Sequence, residues 1–211
     1  WNLLGLLDFI RAKSLLSNEY KCVIPELTDE PIFIWRQARH PLLEQKLKLQ
    51  DKQITPLDLS LDKDNRILVI SGPNAGGKSV CLKTIGLVQY MLQCGLAVPM
   101  EIDSKCGIFH DMFIDIGDSQ SLENDLSTYS SHLLNMKELI RHGNSRTLFL
   151  IDEFGTGTEP QLGGAIAEAI LLKMNEKKSF GVVTTHYANL KLLADKHQGI
   201  VNGAMLFDTR Y

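Results

Sequence analysis

Between Gly72 and Ser79 the chain reads Gly72-Pro73-Asn74-Ala75-Gly76-Gly77-Lys78-Ser79, a glycine-rich run closed by a lysine and a hydroxyl residue. It fits G-x-x-x-x-G-K-[ST] without a mismatch. Glycines let the backbone turn tightly, so that successive N–H groups converge on phosphate oxygens at the positive end of the helix that follows. Lys78 places a point charge on the β- and γ-phosphates, and the Ser79 hydroxyl is a hard oxygen ligand suited to Mg²⁺. The expected chemistry is the binding of a nucleoside triphosphate, ATP, with Val80 continuing the contact surface after Ser79.

A second element is Leu148-Phe149-Leu150-Ile151-Asp152-Glu153, four apolar residues followed by two acids. A buried strand delivers acids in this way to its C-terminal end, where α/β sheets bind ligands. Asp152 is the candidate for holding Mg²⁺, directly or through water, and Glu153 for positioning and polarising the attacking water. Thr184-Thr185-His186 follows the apolar run from Phe180 to Val183. A histidine at that strand end can sense the γ-phosphate, whereas His110, His132, His142 and His197 read as structural. The fourth element runs from Asp115 through Gly117-Asp118-Ser119-Gln120-Ser121 to Leu126-Ser127-Thr128-Tyr129-Ser130. Small hydroxyl residues ahead of a helix are caps, and a helix N-terminus with exposed hydroxyls is also an anion site. Presented by a second subunit, Ser127 reaches a γ-phosphate held by the first.

These residues need a scaffold, and the hydrophobic pattern supplies one. Leu3, Leu6, Leu7, Ile10 and Leu15 fall near helical spacing, predicting an amphipathic helix from Leu3 to Ser17. A polar link from Asn18 to Pro31 precedes a short strand, Ile32 to Trp35, that Pro41 closes off. Strands are predicted at Ile67–Ile70, Met112–Ile116, Leu148–Ile151, Phe180–Thr184 and Ile200–Phe207. Helices are predicted at Gly77–Gln93, Ser130–Arg141, Leu162–Met174 and Asn189–Ala194. The inward faces are expected to carry Leu133, Met136, Leu139 and Ile140 in one case and Ala165, Ile166, Ala169 and Ile170 in another. Alternation of this kind indicates an α/β fold with a largely parallel central sheet. Residues 1–30 read as the end of a preceding helical lever and 31–211 as the core domain.

Bulk properties narrow the classes. Of 211 residues, 44% are hydrophobic and 22% charged, the balance of a globular domain. No apolar run approaches the roughly 18 residues of a membrane span. Four cysteines, Cys22, Cys81, Cys94 and Cys106, stand far apart without a C-x-x-C pair, so buried free thiols in a reducing cytoplasm are expected. A net charge of −3 argues against an electrostatic nucleic-acid clamp within this stretch. The mixed-charge segment from Glu44 to Lys52 reads as a solvated loop or strand edge. With Trp1 first and no basic n-region ahead of an apolar segment, the chain reads as a piece of a longer polypeptide.

Taken in order, Gly72 to Ser79, Asp115 to His132, Asp152 to Pro160, Thr184 to Tyr187 and Asn202 to Asp208 resemble the ATPase domain of the MutS family. Ala38-Arg39-His40-Pro41-Leu42-Leu43, Gly117-Asp118-Ser119-Gln120-Ser121 and Gly155-Thr156-Gly157-Thr158-Glu159-Pro160 are closest to its second bacterial branch, MutS-two. Leu7-Asp8-Phe9-Ile10-Arg11-Ala12-Lys13 resembles the lever end that precedes this domain. The resemblance implies a P-loop NTPase of ABC type, a Mg-dependent ATPase working as a homodimer with composite ATP sites. Lys78, Ser79, Asp152, Glu153 and His186 then serve one nucleotide and Ser127 the partner's, with Gly155 to Pro160 at the subunit interface. Ile54 takes the adenine-packing position, where mismatch-repair relatives often carry an aromatic. The implied partners are branched or mismatched DNA, in recombination control and DNA repair, and stalled ribosomes, in ribosome quality control. The family's DNA clamp and its C-terminal nuclease domain lie outside this sequence, so endonuclease activity is not expected of it.

The alternative reading is the nucleotide-binding subunit of an ABC transporter. It predicts an L-S-G-G-Q-like signature, from which Leu126-Ser127-Thr128-Tyr129 departs. A GTPase requires N-K-x-D and a small-molecule kinase requires arginine-bearing lids, and neither pattern is present.

Overall fold

The computed structural model describes residues 2–72, 77–117, 125–156 and 158–204, with residues 125–131 described by their backbone alone. Two compact units emerge, one built from Trp1–Ser60 with Lys83–Ile108 and the other from Leu61–Leu82 with Phe109–Tyr211.

The first unit opens with helix α1, Asn2–Glu19, none of whose residues is buried. Leu3, Leu7, Phe9 and Ile10 are all more than half exposed, so the apolar spacing yields the helix without the burial it forecast. The link expected from Asn18 to Pro31 contains strand β1, Glu26–Thr28. Strand β2, Phe33–Ala38, runs past the predicted Trp35 and buries Phe33, Trp35 and Ala38. Pro41 does not end that strand but opens helix α2, Pro41–Lys48, where His40 Nδ1 accepts from Leu43 N–H at 3.3 Å. A proline in the first turn suits a helix because its missing N–H has no partner there anyway. The segment read as a solvated loop from Glu44 is therefore helical as far as Lys48, with Glu44 paired to Arg39 at 3.1 Å and to Lys48 at 3.0 Å. Strand β3 covers Leu57–Leu61. A later strand, which pairs parallel to β1 and antiparallel to β2, is Lys105–Gly107.

Strand β4, Asn65–Ser71, belongs to the second unit and leads to helix α3, Lys78–Gln93, whose residues as far as Leu82 are in that unit. Counting Lys105–Gly107 as β5, the rest follow as β6 Asp111–Asp115, α4 Asp125–His142, β7 Thr147–Ile151, α5 Pro160–Glu176, β8 Phe180–Thr185, α6 Ala188–Lys196 and β9 Gly199–Ala204. The first sheet has the order β1-β5-β2-β3 and the second β6-β7-β8-β4-β9. All pairings of the five-stranded sheet are parallel. Every residue of β7 and β8 is buried, as expected of parallel strands covered on both faces. Phe149, Ile151 and Val183 form one core with Met136 and Leu139 of α4, Ala167, Ile170 and Met174 of α5, and Leu190 and Leu193 of α6.

Several boundaries differ from expectation. Helix α4 begins at Asp125 rather than Ser130, so Ser127 lies in its first turn instead of ahead of it. Helix α5 begins at Pro160, capped by the Glu159 carboxylate, which accepts from Gln161 and Leu162 N–H. Its inward face is Gly163, Gly164, Ala167, Ile170, Leu171 and Met174, whereas Ala165 and Ala169 are exposed. Two small residues cannot define a helix face against the larger Ile170, Leu171 and Met174, whose burial is worth far more. Strand β9 is described from Gly199 to Ala204, and the remainder of the predicted strand lies outside the described residues. Among the described residues no helix is long and apolar enough to cross a membrane. The cysteines are free, with Cys81 and Cys106 buried and their thiols pushed up to about 12 by burial, while Cys94 is exposed, against the expectation of burial.

Gly181 of β8 admits the ring of Phe149, since a Cβ there would stand 2.2 Å from Phe149 Cζ. Both residues are buried, so Gly181→Ala is expected to destabilise the chain by about 1–3 kcal/mol through overpacking. A melting curve that leaves Tm unchanged would show that β7 and β8 yield more readily than this packing implies.

Candidate nucleotide site

Register assembles the site. Ser71 ends β4 opposite Thr185 of β8 on one side and Ala204 of β9 on the other. Gly72 follows with φ +136° and Gly77 has φ +85°, left-handed values that only glycine adopts freely. Pro73, Asn74, Ala75 and Gly76 lie outside the described residues. Lys78 is the first residue of α3 and is 1% exposed, its Nζ donating to the Gly72 carbonyl. Burial lowers its pKa, against the opposing pull of Asp152 and Glu153, while Lys191 pushes the same way as burial. A desolvated cation held at the mouth of a helix N-terminus is a receptor for an anion. Ser79 is half-buried beside it and Val80, at the start of the same helix, is exposed.

The acids stand at the end of β7. Asp152 N–H donates to the Asp115 carbonyl at 2.9 Å, extending the β6–β7 ladder by one residue. One carboxylate oxygen of Asp152, Oδ1, accepts from the Thr184 hydroxyl and from Glu153 N–H at 3.2 Å. Glu153 has φ +49°, and its N–H also reaches Thr184 Oγ1 at 2.8 Å. Phe154 N–H then donates to the Thr184 carbonyl at 2.8 Å. Further along, the Tyr187 hydroxyl donates to the Gly155 carbonyl at 3.0 Å, and Tyr187 N–H donates to Thr185 Oγ1 at 3.1 Å. Gly155 has φ +90°, and a Cβ there would lie 2.8 Å from the Gly163 carbonyl oxygen, so this turn closes directly on the start of α5. His186 is exposed and directly follows Thr185, level with Gly72 across the β4–β8 pair.

For Mg²⁺ the fit rests on the donor set. Asp152 keeps its second carboxylate oxygen, Oδ2, without a hydrogen bond among the described residues, and Ser79 offers a hydroxyl. Among the described residues no group of three or more His, Cys, Asp or Glu is arranged to hold a metal ion by itself. One carboxylate and one hydroxyl suit an ion that takes its other ligands from nucleotide phosphates and water.

Of the remaining expected site residues, Ser127 is placed by backbone alone in the first turn of α4. Ile54 is half-buried ahead of β3 and belongs to the first unit. Two contributors escape the sequence reading. The run Thr184-Thr185-His186 gives Thr184 no role of its own, and only the strand register shows what its hydroxyl holds. His132, read as structural, has Nδ1 2.7 Å from Asp115 Oδ2 and lines a cleft with Asp115, Met136, Asp152, Glu153 and Ile170.

Residues 68–210 match the family described as MutS domain V. The chain belongs to that family. Its five parallel strands flanked by helices form a P-loop ATPase-type domain, as the resemblance implied. It is 43% identical over 205 residues to Endonuclease MutS2 of Enterococcus faecalis, covering 97% of this chain and 25% of the relative. Endonuclease MutS2 of Ligilactobacillus salivarius is 44% identical over 206 residues, 98% of this chain and 25% of the relative. The Fusobacterium nucleatum protein of the same name is 42% identical over 203 residues, 96% of this chain and 25% of the relative. The chain thus spans about a quarter of the length of the curated relatives it matches.

The Asp115 hydrogen bond raises the His132 pKa above 6.5; burial opposes the shift and the Asp115 charge supports it. Stabilisation by the pair is full below the unfolded histidine value and is lost as pH rises through the higher folded one. NMR titration should find His132 titrating above 6.5 in the parent and falling toward that value in Asp115→Asn. An unchanged titration in the variant would mean that the pair carries no charge coupling.

Proposed function

We propose that the chain is the ATP-binding and ATP-hydrolysing motor domain of a MutS2-like protein. The observation that carries this reading is the convergence, at the C-terminal ends of three adjacent parallel strands, of Gly72 with buried Lys78, Asp152 with Glu153, and His186. Gly72 to Ser79 cradles the triphosphate, Lys78 neutralises β- and γ-phosphate oxygens, and His186 contacts the γ-phosphate. Ser79 and Asp152 would hold Mg²⁺, which would supply charge neutralisation at the phosphates. Glu153 orients the water for in-line attack on the γ-phosphorus, with ADP as leaving group. Positioning and electrostatics do the catalytic work, since phosphoryl transfer asks for little covalent chemistry from the protein.

The site is composite. Ser127, at the start of α4, serves the nucleotide of a second subunit, the Gly155 to Pro160 loop lies at that interface, and Ile54 packs against the adenine. Closure of the dimer on ATP then controls a nucleic-acid partner, branched or mismatched DNA or a stalled ribosome, gripped through domains beyond this chain. Residues 1–30 act as the end of the lever that carries the motion, in a cytoplasmic protein. The relatives' name, Endonuclease MutS2, supports the link to nucleic acid, and the MutS domain V match removes support from the transporter alternative.

Lys78→Ala should abolish ATP binding, and Glu153→Gln should bind ATP but hydrolyse it roughly 100-fold more slowly. Parental hydrolysis by Glu153→Gln would remove Glu153 from the mechanism. In sedimentation, Glu153→Gln should pair with ATP and Mg²⁺ but not with ADP, and adding Ser127→Arg should leave it monomeric. A dimer that survives Ser127→Arg would deny Ser127 its role across the interface.

A further inference from the structure

Thr184 is wholly buried in β8, two residues before His186, and its hydroxyl lies between the two acids. A hydroxyl has one proton to give and two lone pairs to receive with. The Glu153 backbone N–H can only donate, so at 2.8 Å it occupies a lone pair of Thr184 Oγ1. The Thr184 proton is therefore committed to Asp152 Oδ1. The Thr184 carbonyl receives Phe154 N–H at 2.8 Å. One residue of β8 thus holds three consecutive residues at the end of its neighbour, Asp152 and Glu153 through the hydroxyl and Phe154 through the carbonyl.

This hold falls where the backbone needs it. At φ +49° Glu153 is in the left-handed region, which a residue with a β-carbon occupies only when its surroundings fix it there. The same hydroxyl removes one oxygen of Asp152 from competition, leaving Oδ2 as the oxygen open to a cation. We propose that Thr184 is a positioning residue for ATP hydrolysis, setting the Asp152 carboxylate and the Glu153 turn as one unit. It acts through the two acids and does not itself touch the nucleotide. The inference rests on the ATPase reading of this site. Groups behind the immediate ligands of a metal or nucleophile commonly matter in this way, because they fix rotamers that would otherwise be shared among several wells.

The test compares Thr184→Val, which keeps the branched shape without the hydroxyl, with Thr184→Ser, which keeps the hydroxyl, in the full chain. Thr184→Val should bind a fluorescent ATP analogue without Mg²⁺ as the parent does, yet need several-fold more Mg²⁺, roughly 10-fold, to tighten that binding. Its kcat should fall about 10- to 100-fold with little change in KM. Hydrogen exchange at the Glu153 amide should quicken by about 10-fold in the absence of any nucleotide. Thr184→Ser should restore all three properties. Should Thr184→Val fail to fold, Thr184→Ala carries the same expectations with less bulk to accommodate. The proposal is overturned if the hydroxyl-free variant keeps parental kcat and Mg²⁺ requirement. It is also overturned if Thr184→Ser is as defective as Thr184→Val, or if KM alone changes. Failure of the ATPase reading looks different: the parent itself would bind ATP no better than Lys78→Ala. The Glu153 amide exchange, which needs no nucleotide, would still show whether Thr184 holds the turn.

Discussion

Val183 is paired with Val69 of β4 on one side and with Ile151 of β7 on the other, and the geometry of the site depends on that register. With it, Thr184 stands beside Asp152 and Thr185 beside Ser71, so acids, histidine and phosphate loop emerge at one level. Adjacent strands lie about 4.8 Å apart, which sets the ends of β4 and β7 roughly 10 Å apart, with the β8 end between them. A slip of one residue would turn every side chain of β8 to the opposite face and carry the Thr184 hydroxyl away from Asp152. Full burial of β7 and β8 on both faces is what makes such a slip costly. The apolar core in this sense fixes the geometry of the candidate site.

Electrostatics works against that core and is tolerated because of it. Lys78 is buried with its charge favoured by Asp152 and Glu153 but disfavoured by desolvation, and desolvation is the larger influence. A lysine so placed is poorly satisfied by carbonyl contact alone. An anion brought to Lys78 would meet it in a setting where water screens little, and such an interaction is stronger than the same pair in solvent. The cost of burying Lys78 is carried by the folded state before any ligand arrives, which is what preorganisation means here.

Most of the architecture could be read from the chain because its strands are short apolar runs bounded by turn residues. Ile67–Ile70 extends by two residues at its start and one at its end, and Phe180–Thr184 by one at its end. Where reading failed, the deciding contact was distant or the pattern degenerate. His40 and Pro41 form a helix start whose apolar stripe, in an eight-residue helix, is too brief to show a period. Ala165 and Ala169 share helical spacing with Ile166 and Ile170, and small side chains do not reveal which pair faces the sheet. Lys78, Asp152 and Glu153 were legible because loop and strand end announce them locally. Thr184 was not, since its partners lie 31 and 32 residues away and meet it only through the β7–β8 register. Asp115 and His132 stand 17 residues apart, on strand and helix, and neither carries a local signature of the other.

The hydrogen bonds at this edge of the sheet join into a continuous run. His132 of α4 bonds the Asp115 carboxylate, the Asp115 carbonyl receives Asp152 N–H, Asp152 receives the Thr184 hydroxyl, and Thr185 leads directly to His186. Ser127 lies five residues before His132 on the same helix. The links differ in strength. Thr184 is fully buried, so its bonds compete with no water, whereas the His132 side chain is 37% exposed and its charge depends on pH. The bonds that hold Asp152 and the Glu153 backbone are therefore the ones least open to exchange with water, and the His132–Asp115 pair is the one that a change of pH reaches first.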